Sequence, residues 1–202
     1  MVAVQGLKNS GKTTVAAALI ADLNGRGFRV AAVKTSHLPR LDLDPEGRDS
    51  RQLYEAGADC VIVQGQLETL ALRRHDRPAA FAELLALLPP ETEFVVAEGG
   101  AGVGTRADAV FVCLRSLESL EETLQVRAVL PAKVRALTGL AAARPPDRGV
   151  ESAAGPAAGP TEAKRLSALP LLNAAEPAGR QALLALLLSA AGLAPTSNPR
   201  TS

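Results

Sequence analysis

Aromatic side chains are nearly missing from this chain: there is no tryptophan, one tyrosine and four phenylalanines among 202 residues. A core without large rings has to be filled by Ala, Leu and Val, which dominate the 47% of apolar residues. An excess of either charge is missing too. The net charge is +1 with acids and bases interspersed, so no electrostatic footprint for DNA, RNA or an anionic membrane is present. Cysteine occurs twice, as Cys60 in "ADCVIV" and Cys113 in "VFVCL". Their spacing matches no metal motif, and the apolar runs around them predict two buried free thiols. No charged stretch followed by an apolar one opens the chain, so no secretory signal is expected. The longest apolar run, "ALLALLLSAAGLA" (182–194), is too short to span a bilayer. A cytoplasmic protein of one domain over residues 1–202 is the expectation.

What the chain does have is alternation. "VAVQ" (2–5), "RVAAVK" (29–34), "DCVIVQG" (59–65), "LETLALR" (67–73), "EFVVAEGG" (93–100), "ADAVFVCL" (107–114), "KVRALTG" (133–139) and "ALPLLNA" (168–174) read as strands. Helices are expected from Lys12 to the Gly25/Gly27 pair, over 50–58, over "PAAFAELLALL", over 119–130, near 161–167 and from Pro177 to about Ala191. Ser119 with Glu122 three residues on suggests a capping box. Residues 144–160 form a Pro/Gly/Ala-rich loop expected to be flexible. Short strands alternating with helices predict an α/β fold, a mostly parallel sheet with helices on both faces, of the P-loop NTPase type. Ligands of such sheets bind at the carboxyl ends of the strands.

"GLKNSGKTT" (6–14) sits at the first of those ends. Gly6 and Gly11 let the backbone curl so that successive N–H groups face phosphate. Lys12 reaches the β- and γ-phosphates, and Thr13 offers a hydroxyl to Mg²⁺. Lys8, Asn9, Ser10 and Thr14 are the remaining loop residues of this nucleotide site. A second acid is expected at a neighbouring strand end, and Glu98, after "FVVA" and before Gly99-Gly100, is the candidate. The loop "SHLPRLDLDPEGRDS" (36–50) follows the second strand. Asp44 or Asp49 is a candidate to hold the metal through water, Arg48 a candidate contact for phosphate or an anionic partner, and His37 a candidate proton carrier. The Asn-Lys-x-Asp guanine motif is absent; Thr138 and Asn173 are the strand-end candidates for reading a base, and the residues leave GTP or ATP open.

"GLKNSGKTT", "VAAVKTSH", "DPEGRDSRQLYEAGAD" and "VVAEGG" together resemble the molybdopterin-guanine dinucleotide biosynthesis adapter proteins, over about residues 1–100. In that family the second strand ends in a lysine, here Lys34. The following loop carries a pattern matched by Asp44, Gly47, Asp49 and Ser50, and Glu98-Gly99 matches the family's Glu-Gly pair. Glu46 and Arg48 replace the family's Pro and Lys, Gln52 has lost a charge, and Thr35 stands where His is common. The resemblance implies GTP with Mg²⁺, at most weak hydrolysis served by Lys12, Glu98 and Asp49, and nucleotide contacts from Lys34 and Arg48. It also implies a homodimer and partnership with molybdopterin and the molybdenum cofactor guanylyltransferase. Apolar surface for self-association is expected on the last helix and on "LETLALR".

A second reading is a small-molecule kinase or ATP-dependent ligase, with "LRRHDRP" (72–78) as an arginine-bearing lid. A third, a metal-delivery chaperone, calls for a ligand cluster that two cysteines and two distant histidines do not supply.

Overall fold

The computed structural model describes residues 1–36, 38, 41, 49–99, 103–127, 129–143, 165–166 and 168–197, with Asp49 placed by its backbone alone. The elements run β1 (Val2–Gly6), α1 (Lys12–Gly25), β2 (Val30–Lys34), α2 (Asp49–Glu55), β3 (Cys60–Gln64), β4 (Thr69–Arg73), α3 (Phe81–Leu85), β5 (Phe94–Glu98), α4 (Val103–Arg106), β6 (Ala109–Leu114), α5 (Leu120–Val126), β7 (Val134–Gly139) and α6 (Pro177–Ala190). Five strands form one parallel sheet in the order β2-β5-β1-β6-β7. The chain is therefore α/β with a parallel sheet, as its alternation predicts. "ALPLLNA" contributes to the sheet only a parallel bridge, Leu171 to Leu137.

Contacts divide the chain into two compact units, Met1–Ser36 with Leu87–Ser202, and His37–Ala86. The second unit is inserted in the sequence between β2 and β5. Within it, β3 and β4 pair as a two-stranded antiparallel sheet beside α2.

In the first unit the core lies on the face shared by α1 and α6. Val15, Leu19 and Leu23 of α1 meet Leu183, Leu184, Leu187 and Leu188 of α6 over Val2, Val4, Val96 and Phe111 of the sheet. Burying four leucines stabilises by about 1.5–3 kcal/mol each relative to exposure. That use covers Leu183, Leu184, Leu187 and Leu188 of the last helix, while Leu186 stays partly buried and Leu193 beyond it exposed. Exposed apolar side chains also persist around the hairpin, at Ile62, Val63 and Leu67. α1 ends as expected of a glycine-stopped helix: Gly27 has φ 90° and donates its N–H to Asn24 O at 2.8 Å.

Two local expectations are corrected. Cys113 is buried, and burial pushes its thiol pKa well up, but Cys60 is exposed. A two-stranded sheet leaves one side of its alternation uncovered, and Cys60 shares that exposed side with Ile62. The capping box at Ser119 and Glu122 is not formed. Ser119 Oγ donates back to Ser116 O at 2.7 Å within a 3-10 turn, and Glu122 pairs with Arg115 at 3.3 Å. The loop 144–160 lies outside the described residues, as does most of the short helix expected near 161–167.

Candidate nucleotide site

The carboxyl ends of β1, β2 and β5 converge on one small polar cluster. β1 runs straight into the glycine loop, which turns with positive φ at Asn9 (61°) and Gly11 (89°) before α1 begins at Lys12. Asparagine is among the few non-glycine residues that tolerate this region. Gly6 is obligatory for another reason: a Cβ there would collide with the Cys113 carbonyl oxygen and with Ser10 Oγ. The first turn of α1 holds no acidic residue of its own, and its positive end faces the loop.

Lys12 Nζ donates to Leu7 O at 2.6 Å, across the loop. Burial lowers its pKa from the ordinary lysine value; the Glu98 carboxylate opposes that shift, and Arg127 and Lys34 add to it by repulsion. Thr13 Oγ1 donates to the Glu98 carboxylate and lies 3.0 Å from each of its oxygens. Parallel register sets Lys34 directly opposite Glu98 on β2 and β5. Its Nζ is 3.5 Å from Glu98 Oε2 and donates to Thr13 Oγ1 at 3.4 Å. Glu98 is buried, and Gly99 after it (φ 132°) lies so close to Thr35 that a side chain would not fit.

A threonine hydroxyl and a carboxylate are hard oxygen donors of the kind Mg²⁺ takes, usually one or two from protein with water and phosphate completing the shell. The pair therefore fits that metal. Among the described residues no group of three or more His, Cys, Asp or Glu gathers, so a cage made of protein ligands alone is not formed.

Lys8, Asn9 and Thr14 are exposed along the loop, and Ser10 is buried beneath it. Asp49 opens α2 in the second unit; its side chain, with all of Asp44, Arg48 and His37, lies outside the described residues. Thr138 is fully buried, its hydroxyl without a hydrogen-bond partner among the described residues, so it does not face a base. Asn173 closes the turn into α6: Nδ2 donates to Glu176 Oε1 at 2.9 Å, and Oδ1 accepts the Ala175 N–H at 3.0 Å.

Two contributors had no sequence signal. Arg127, just past α5, donates from Nε to Gly6 O at 3.0 Å and so braces the entrance of the loop. The end of β7 supports its back, where the Leu140 N–H donates to Ser10 O at 3.3 Å. In the second unit two of the three arginines of "LRRHDRP" are engaged locally. Arg74 stacks on Tyr54 at 4.2 Å, and Arg77 grips Glu83 at 2.6 Å and 3.0 Å, holding that carboxyl down at about 2. Side chains so engaged do not favour an arginine lid.

Strand, glycine loop, helix and strand-end acid on a parallel sheet define the chain as a P-loop nucleotide-binding fold. Its first half carries the rest of the identification. Residues 1–103 match the family described as molybdopterin guanine dinucleotide synthesis protein B, and the chain belongs to that family. A curated relative, the molybdopterin-guanine dinucleotide biosynthesis adapter protein of Haemophilus influenzae, is 31% identical over 100 residues, which are 49% of this chain and 56% of the relative. The chain thus spans little more than half the length of that relative. Two structures of Bacillus subtilis MobB cover 92% of this chain and 96% of their own, at TM-scores of 0.61 and 0.59 with 24% and 21% identity. A MobB homologue from Bacillus stearothermophilus covers 86% of this chain and 87% of its own, at 0.52 and 24%. At these identities the structures speak for the fold. Among the described residues no helix is long and apolar enough to cross a membrane.

Proposed function

We propose that this chain is a GTP-binding adapter in molybdopterin guanine dinucleotide synthesis, with Mg²⁺ held by Thr13 and Glu98 and hydrolysis that stays slow. The observation that carries the reading is the Thr13–Glu98 contact, 3.0 Å to each carboxylate oxygen, at the mouth of the glycine loop in a chain of this family. When bound, Mg²⁺ neutralises charge on the β- and γ-phosphates. Lys12 meets those phosphates, and the amides of Lys8 to Thr14 line them. Asp44 serves the metal through water, Asp49 serves hydrolysis, and Arg48 contacts an anionic partner. That partner is molybdopterin or the guanylyltransferase that joins it to a guanine nucleotide. Both units work as one nucleotide-binding protein of the cytoplasm.

The test is calorimetric titration with GTP and with ATP, with Mg²⁺ and with EDTA, on the parent and on Glu98→Gln. GTP is expected to bind more tightly than ATP. Glu98→Gln should lose about tenfold or more in Mg²⁺ and little in EDTA, because an acid that serves the metal matters only when metal is present. Equal losses in both conditions would assign Glu98 a structural role. Rapid phosphorylation of a small acceptor, at roughly 1–100 per second, would replace the adapter by a kinase.

Self-association belongs to the same reading, supported by the exposed Ile62, Val63 and Leu67 of the hairpin. A dimer is expected by sedimentation at micromolar concentration; a monomer there would remove that part of the proposal.

A further inference from the structure

Lys34 stands at the end of β2 against the Thr13–Glu98 pair. Its ammonium touches the two groups assigned to Mg²⁺, at 3.5 Å from Glu98 Oε2 and 3.4 Å from Thr13 Oγ1. The sheet keeps the two side chains neighbours, since Lys34 and Glu98 are opposite residues in the β2–β5 ladder. The carboxylate is buried while 62% of the lysine side chain is exposed. A buried carboxylate needs a cation or hydrogen-bond donors, and Thr13 donates only one proton. An exposed lysine on a four-carbon stem is free to move away once something better arrives.

We propose that Lys34 is the resident counter-cation of the Thr13–Glu98 pair: it holds the pair closed in the nucleotide-free protein and yields it to the divalent ion that enters with the nucleotide. The inference rests on the reading of Thr13 and Glu98 as the metal pair. A divalent ion and an ammonium cannot both sit against the same carboxylate and hydroxyl without strong repulsion. The protein therefore discriminates against free metal and favours metal delivered with phosphates, whose negative charge receives the displaced ammonium. Lys34 thus links metal entry to nucleotide entry.

The experiment is Mn²⁺ binding to the full chain without nucleotide, followed by electron paramagnetic resonance, in the parent, Lys34→Gln, Lys34→Arg and Glu98→Gln. The population of bound Mn²⁺ that Glu98→Gln removes is expected to bind about five- to tenfold more tightly in Lys34→Gln, the size of one partly screened ion pair. Lys34→Arg, which keeps the charge, should stay within about twofold of the parent on the same reasoning. Equal affinity in the parent and Lys34→Gln overturns the proposal. So does equal tightening by both substitutions, or the lack of any Glu98-dependent Mn²⁺ in Lys34→Gln. Because no nucleotide is present, the outcome is independent of the nucleotide titrations. A chain that binds no GTP yet shows the Lys34 effect keeps this inference and loses the proposed function, and the converse pattern does the reverse.

Discussion

Lys12→Ala is expected to weaken GTP binding by about 2–3 kcal/mol, roughly thirty- to a hundredfold or more, while the protein stays folded. Lys12 Nζ makes one short contact, to Leu7 O within its own loop, so its removal takes little from the core. The loss falls on the phosphates, for which Lys12 is the cation built into the cradle. A pH effect accompanies it. Burial lowers the free-state pKa of Lys12, and a phosphate beside the ammonium raises it again on binding. Affinity is therefore at its full value below the free-state pKa and declines as pH rises through it, with proton uptake on binding. Lys12→Ala should abolish that alkaline decline. Calorimetry with GTP between neutral pH and the lysine range reads both effects. A variant that binds as tightly as the parent, with the same pH profile, would refute the phosphate-cradle assignment.

The loop was legible because its chemistry is local. Glycine, lysine and threonine spacing is a statement about nine consecutive residues, and the strand before them is a buried apolar run with nothing polar but Gln5. Glu98 was legible for a similar reason, as the acid at the end of "FVVA". Its pairing with Lys34 was not, because it depends on β5 crossing back to lie between β1 and β2, a topological fact with no residue signature. Lys34 entered only through the family resemblance. Arg127 had no signal at all: its hydrogen bond to Gly6 O spans 121 positions of sequence. Cys60 was misread because an apolar run of that length is common to a strand covered on both faces and to a hairpin covered on one. The burial of Leu183, Leu184, Leu187 and Leu188 of α6 was not legible, because composition cannot say that α1 supplies their partner.

The end of β7 shows how much of the site lies outside its motif. Gly139 has φ 88°, and a Cβ there would drive into the Ser10 carbonyl oxygen of the glycine loop and press on Cys113 Cβ at 3.1 Å. Both Gly139 and Gly11 are glycines at a point where two backbones touch, with Gly11 packed toward the Gly139 Cα. Gly139→Ala therefore carries two costs. The left-handed backbone costs about 1–2 kcal/mol for an L-residue, and the overpacking costs about 1–3 kcal/mol more. The second cost is the functional one, because it is relieved only by moving Ser10, and Ser10 lies within the turn that aims the loop amides at phosphate. GTP affinity is expected to fall by at least about tenfold, since misdirected amides each forfeit a charge-assisted hydrogen bond. The melting temperature should fall by roughly 5–20 °C for a chain of this size. Gly192→Ala is the control, with φ 73° and open space around the new methyl. It carries the backbone cost alone, roughly 2–8 °C, and should leave GTP affinity where it was. If the two alanine variants bind GTP equally well, the end of β7 does not set the shape of the loop, and the glycine at 139 answers only to its own backbone.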